Sequence, residues 1–220
     1  MAKPLAVIVG AGPGIGLAVA RRFRLGGFAL AVVSRPADPL AEFQAALEGP
    51  EAGAALVLGA DLAREQQLRG ALAAIEAWAG HPEVLVYNAS AGAPGPAADL
   101  DPARLSADLQ VSVGSALAAA RWALPAMRRA GRGTLLFTGG GLALGPQAGL
   151  AAASLGKAAL RSLALSLGQE LAPEGIHAAT VTVCGFVQPD TRFAPDLIAQ
   201  VFWDLYLQKQ DGWETERILR

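Results

Sequence analysis

The chain has 220 residues, 53% of them hydrophobic and 17% charged, with a formal net charge of −1. This is the composition of a globular chain with a sizeable core, and it excludes a disordered one. Near-neutral charge without a basic run argues against a nucleic-acid partner, and a single cysteine, Cys184, excludes an internal disulfide and a cysteine-only metal site while fitting a reducing compartment.

The first apolar run, LAVIVG (5–10), does not alternate and ends in glycine, the pattern of a strand buried on both faces of a parallel sheet. Ile15, Val19 and Phe23 then recur at helical spacing, with Arg21, Arg22 and Arg24 off that line. Similar short apolar runs at 28–34, 54–60, 83–89, 133–139 and 177–185 predict five more strands, and helical patterns fill 38–48, 63–79, 101–129 and 148–171. This alternation implies right-handed crossovers: an α/β chain of three layers around a doubly wound parallel sheet, one domain over 1–220. After Pro189 the stretch FAPDLIAQVFWDLYLQ predicts an amphipathic helix carrying Phe202, Trp203 and Tyr206. Aromatics so placed are more often core than substrate box, yet the segment 189–210 also lies where a substrate lid would, and ETERILR supplies only a short last strand.

Two stretches mimic export or membrane signals. The N-terminal lysine and apolar run resemble a signal peptide, but the glycines that follow fall where a strand turns into a helix. The uncharged stretch 133–156 is long enough to span a bilayer, but TGGG and Gly145-Pro146 interrupt it. The expectation is a cytoplasmic protein with no membrane partner. His81 and His177 sit near the amino ends of strands, so no metal site is expected.

VGAGPGIG places Gly10, Gly12, Gly14 and Gly16 between the first strand and the first helix. Glycine is needed where the backbone turns sharply and where a pyrophosphate must approach without meeting a Cβ. The helix N-terminus then offers free N–H groups and a positive dipole end. A glycine cluster in this context points to a dinucleotide site.

Gly10, Gly14 and Gly16 follow G-x-x-x-G-x-G, which resembles the turn of the short-chain dehydrogenase/reductase family, a Rossmann-type fold. Asp61-Leu62 resembles that family's adenine-contacting aspartate segment, YNASA (87–91) its N-N-A-G motif with Asn88 and Ala89 retained, and CGFV (184–187) its P-G-x-V segment. Lys157 falls where the lysine of its Y-x-x-x-K belongs. The resemblance runs from residue 4 to about 191. It implies a cofactor site built from Gly10, Gly12, Pro13, Gly14, Ile15, Ser34, Arg35, Asp61, Leu62, Asn88, Ala89, Ser90, Val111, Lys157, Gly185 and Val187. A lone lysine on an amphipathic helix is usually a solvated charge. The resemblance implies instead that Lys157 holds the nicotinamide ribose and lends positive charge to the reacting centre.

Charge at the end of the second strand bears on which dinucleotide binds. An acid there would hold the ribose hydroxyls, whereas Ser34-Arg35 can pair with a 2′-phosphate, which favours NADP(H) over NAD(H). The alternative is that Arg35 only stabilises its loop.

Three of four catalytic positions depart from the family pattern. Ala153 stands where the proton-transferring tyrosine belongs, Gly140 at the serine and Ser112 at the asparagine. Ser154-x-x-Lys157 matches a nucleophile motif by chance, since Ser154 points to another helix face than Ala153. Tyr87 and Tyr206 are the remaining phenols, each better read as packed. Two functions follow. One is an NADP(H)-dependent oxidoreductase acting on a small carbonyl, alcohol or conjugated alkene with a degenerate tetrad. The other is a non-catalytic NADP(H)-binding sensor or scaffold. The resemblance also implies a homodimer or homotetramer through helices 101–129 and 148–171, with the Ala-rich GSALAAARWAL permitting close helix approach.

Overall fold

The computed structural model describes residues 3–48 and 55–220; Met1, Ala2 and Ala54, which the sequence pattern assigns to the domain and to its third strand, lie outside them. The strands are β1 (Leu5–Val9), β2 (Ala29–Ser34), β3 (Ala55–Gly59), β4 (Val84–Tyr87), β5 (Gly133–Thr138), β6 (Ile176–Val183) and β7 (Glu216–Leu219). They pair in parallel, in the order β3-β2-β1-β4-β5-β6-β7. The chain order reverses between β1 and β4, so a crevice opens there at the carboxyl ends of the strands.

The continuous apolar runs arise because both faces of the sheet are covered. Leu5, Val7 and Val9 of β1 enter one core cluster, while Ala6 and Ile8 enter the other. On the first face lie α3 (Glu65–Ala79), α5 (Ser115–Ala130) and α6 (Ala151–Leu171); on the second lie α1 (Ile15–Leu25), α2 (Leu40–Leu47) and α7 (Pro195–Tyr206). Four of the five alanines of GSALAAARWAL point inward. Ala116, Ala119, Ala120 and Ala123 are fully buried in the first cluster, letting α5 close on its own sheet.

Two segments differ from the simple pattern. The long helix expected over 101–129 is α4 (Pro102–Leu109), a π-helical turn (Gln110–Gly114) and then α5. The widened turn sets Ser112 beside Gly156 of α6 and against the loop after β4, where its Oγ accepts from the Ala91 N–H at 3.1 Å and lies 3.3 Å from the Ala91 carbonyl. The helix within 189–210 belongs to the core. Ile198, Ala199, Phe202 and Leu205 of α7 are buried, and Trp203 and Tyr206 meet Phe23 and Phe28 edge-on at ring separations of 5.3–6.1 Å. None of its residues lines the cavity described below, and the side chains that do, Phe186 and Val187, precede it. At the far edge, Arg161 of α6 forks onto Glu216 of β7 at 2.8 and 2.5 Å, and Thr182 donates to the same carboxylate at 2.6 Å.

Candidate active site

The glycine-rich turn sits at the reversal point. Gly10 adopts φ +89°, and a Cβ on it would collide with the Ala89 backbone, so only glycine lets β1 and the loop after β4 come this close. Its N–H and that of Ala11 donate to the Val33 carbonyl at 2.8 and 3.0 Å, fastening the turn to the end of β2. Gly12 and Gly14 differ: a Cβ on either would meet nothing within 4 Å. Exposed Pro13 lies between them, and α1 starts at Ile15 with no side-chain cap and no acid in its first turn. Open space before an uncapped helix N-terminus fits an approaching pyrophosphate.

One hydrogen-bonded line crosses the crevice. Asn88, just after β4, donates from Nδ2 to the Gly10 carbonyl at 2.8 Å and accepts at Oδ1 from the Thr138 hydroxyl at 2.8 Å. The carbonyl of Thr138, in turn, accepts from Lys157 Nζ at 2.8 Å. Glycine turn, Asn88, the end of β5 and the lysine of α6 are thus held in one frame. Burial pushes the Lys157 ammonium down to about 8. Lys157 is therefore no solvated charge.

The ammonium faces a cavity of about 610 Å³ lined by Ile15, Asn88, Thr138 with the three glycines after it, Leu142, Leu150, Cys184, Phe186 and Val187. Among its lining residues Lys157 is the one full charge. Phe186, 87% exposed, stands at the rim. Of the residues expected at a cofactor, Ile15, Asn88, Lys157, Gly185 and Val187 border this cavity; Gly10, Gly12, Pro13, Gly14, Ala89, Ser90 and Val111 lie outside its lining. Val111 sits in the π turn, its carbonyl accepting from the Tyr87 hydroxyl.

The end of the sheet at β2 and β3 forms a second region, apart from that cavity. The Ser34 hydroxyl contacts the Ala11 carbonyl and lies 2.6 Å from Asp38 Oδ2. Arg35 is 78% exposed at its side chain and bonds Asp38 Oδ1 at 2.8 Å. Burial would raise the Asp38 carboxyl, but the bonds from Arg35 and Ser34 outweigh it and hold it below the usual carboxylate range. Asp61 caps its own turn, accepting from the Ala63 N–H at 3.0 Å and facing Arg64 at 3.4 Å, while the Leu62 carbonyl takes the Ser115 hydroxyl at 2.7 Å.

The hydroxyls near the lysine are engaged elsewhere. Ser154 donates to the Leu150 carbonyl at 2.8 Å, Ser112 holds Ala91, and Thr138 holds Asn88. Tyr87 is buried on Val111, and burial raises its phenol. Tyr206 donates to Glu83 at 2.8 Å at the amino end of β4, the opposite end of the sheet, with its phenol pushed up to about 12, mainly by burial. Ala153 carries no polar group, and a Cβ on Gly92, at φ +145°, would fall 2.6–3.0 Å from the Ala153 backbone and Cβ, so only glycine fits beside it. The Gly92 loop is pinned where Gly95 donates to the Gly149 carbonyl at 2.8 Å. A Cβ on Gly140 would lie 3.4 Å from Lys157 Cε, in ordinary contact.

Reasoning from sequence missed Thr138 and Asp38. The TGGG run marked the first, since the residue before a glycine series at a strand end is all that can present a side chain there. Asp38 is an acid three residues beyond a basic one, in a turn bounded by Pro36 and Pro39.

Fold and crevice together define a doubly wound α/β protein with an open crevice at the switch point. The model of the short chain dehydrogenase family matches residues 4–197, and this chain belongs to that family. It is 30% identical over 172 residues to oxidoreductase asL5 of Sarocladium schorii, spanning 78% of this chain and 68% of that one. A short-chain dehydrogenase from Rhodopseudomonas palustris superposes with a TM-score of 0.88 at 26% identity, over 100% of this chain and 99% of the other. A metagenomic short-chain oxidoreductase solved in complex with NADP gives 0.85 at 27% identity, over 99% and 96%. Among the described residues no helix is long and apolar enough to cross a membrane.

Proposed function

We propose that this chain is an NADP(H)-dependent oxidoreductase that moves a hydride between nicotinamide and a small, apolar carbonyl compound, alcohol or conjugated alkene. The observation that carries this reading is the line from Gly10 through Asn88 and Thr138 to Lys157, which aims a buried ammonium into an otherwise uncharged cavity. The NADP complex of the metagenomic relative supports the cofactor. Ser34 and Arg35 would take the 2′-phosphate, the open turn at Gly12 and Gly14 the pyrophosphate, and Asp61-Leu62 the adenine side. Asn88, Ala89, Ser90, Val111, Gly185 and Val187 would border the nicotinamide half.

Nicotinamide, when bound, supplies or accepts the hydride. The chain's part is orientation and charge. Lys157 Nζ uses one N–H on the Thr138 carbonyl, leaving two for ribose hydroxyls and for the oxygen that gains negative charge. Leu142, Leu150, Phe186 and Val187 offer apolar surface to a substrate body. With no phenol at Ala153 and no hydroxyl at Gly140, Lys157 is the cavity's proton-bearing cation. A conjugated alkene would take the hydride at its β carbon, and the single proton that completes the reduction would come from solvent at the α carbon.

The absence of a phenol at Ala153, beside which only a glycine fits at position 92, favours a second reading, in which the chain binds NADP(H) without turnover. A panel of ketones, aldehydes and enones with NADPH, followed by nicotinamide absorbance, separates the two. Turnover lost in Lys157→Ala supports the oxidoreductase; tight NADPH binding with no turnover across the panel supports the binding protein.

A further inference from the structure

We infer that Asp38 is a built-in occupant of the subsite for the adenosine 2′-phosphate, and that NADP(H) binds by displacing it. This deepens the cofactor reading above and rests on it. The donors at the end of β2 converge on one carboxylate. Asp38 Oδ2 lies 2.6 Å from the Ser34 hydroxyl and accepts from the Arg35 backbone N–H at 3.1 Å and Arg35 Nε at 3.3 Å, while Oδ1 accepts from Arg35 Nη2 at 2.8 Å.

A hydroxyl, a backbone N–H and a guanidinium fork are what a phosphate monoester needs in order to be held. Here they already hold an anion, fixed beside the glycine turn because Ser34 also touches the Ala11 carbonyl. The Asp38 side chain is only 10% exposed, whereas that of Arg35 is 78% exposed. The carboxylate is thus seated inward, with the arginine folded over it from solvent.

A dianionic 2′-phosphate and this carboxylate cannot share the donors, because like charges at contact distance repel strongly in a partly buried site. Binding NADP(H) therefore requires Asp38 to swing out while Arg35 and Ser34 turn to the phosphate. NAD(H) makes no such demand. Its 2′-hydroxyl can donate to Asp38 in place, in the manner of the acidic residue that commonly reads that hydroxyl. Asp38 thus narrows the preference for NADP(H) that Ser34-Arg35 alone would set.

The test is calorimetric titration of the native chain, Asp38→Asn, Asp38→Ser and Asp38→Asn/Arg35→Ala with NADP⁺ and NAD⁺. Removing the competing charge should tighten NADP⁺ by about ten-fold or more, while NAD⁺, which loses the charged acceptor for its 2′-hydroxyl, should be unchanged or weakened. The Arg35→Ala change should cancel the gain. Asp38→Ser keeps a short polar side chain in the turn should Asp38→Asn fold poorly. Equal shifts for both nucleotides, or weaker NADP⁺ binding in both single variants, would overturn the inference while leaving the cofactor reading intact. Equal affinities in the native chain that become NADP⁺-selective in Asp38→Asn would uphold the inference and correct the native preference. Absence of binding by either nucleotide to any form would refute both.

Discussion

Lys157→Met in the cofactor-free protein should stabilise the fold at neutral pH. The ammonium is buried, its one hydrogen bond in the described structure goes to the Thr138 carbonyl, and burial lowers it from 10.5 to about 8. At ~1.4 kcal/mol per tenfold change in proton affinity, carrying that proton costs the folded state ~3 kcal/mol. Between pH 8 and 10.5 the native lysine is neutral while the unfolded one remains charged. The unfolded state then binds more protons, so native stability rises with pH across that window; below about 8 the cost is fully present. Methionine fills a similar volume without charge but leaves the Thr138 carbonyl unpaired, a loss of ~1–2 kcal/mol. The expected net gain at pH 7 is ~1–2 kcal/mol, a rise in Tm of roughly 2–8 °C for a chain of this size. Thermal denaturation followed by circular dichroism at pH 7 and pH 10 reads it. The advantage should shrink at pH 10, and NADPH binding should weaken at the same time. A lower Tm for Lys157→Met at pH 7, or a difference indifferent to pH, would refute the claim that the lysine is held there at a cost to the fold.

Arg35→Ala should lower NADPH affinity by about ten-fold with little change for NADH, measured by fluorescence titration; equal loss for both would make Arg35 a loop residue. Gly140→Ser with Ala153→Tyr should raise NADPH-dependent ketone reduction by ~10²-fold, the usual effect of a positioned acid. The serine fits, since Gly140 is extended at φ −170° and a Cβ meets Lys157 only in ordinary contact. No gain despite retained NADPH binding would count against a carbonyl cleft. Glu216→Ala should cost about 1–3 kcal/mol in denaturant unfolding, because it strips charged hydrogen-bond partners from Arg161 and Thr182 in a partly buried network. A loss below about 0.5 kcal/mol would mean that the network is solvated.

Much of the scaffold was legible because parallel strands covered on both faces leave uninterrupted apolar runs, and LAVIVG, FALAVVS and GTLLFTG mark β1, β2 and β5 within a residue or two. The glycine turn was legible for a local reason: Gly10 turns the chain at φ +89°, a conformation that favours glycine. What stayed hidden depends on contacts distant in sequence. The π turn at Gln110–Gly114 reflects the fit of Ser112 onto Ala91 and Gly156, which no periodicity encodes. Residues 189–210 carried both an aromatic stripe and a plausible lid position, and only the packing of Trp203 and Tyr206 on Phe23 and Phe28 assigns the helix to the core. Charge at Arg35 was visible, but not that Asp38 already holds it. Thr138 escaped notice because its carbonyl and hydroxyl face two different elements, α6 and the loop after β4.

The central claim is that the frame from Gly10 to Lys157 binds a nicotinamide dinucleotide. Its most direct test is equilibrium titration of the native protein with NADPH, read by energy transfer from tryptophan to the reduced nicotinamide. Saturable binding is expected at one site per chain, with a dissociation constant in the micromolar range or below (about −8 kcal/mol or stronger), weakened about ten-fold or more in Lys157→Met. Binding that does not saturate, or that is identical in Lys157→Met, would contradict it.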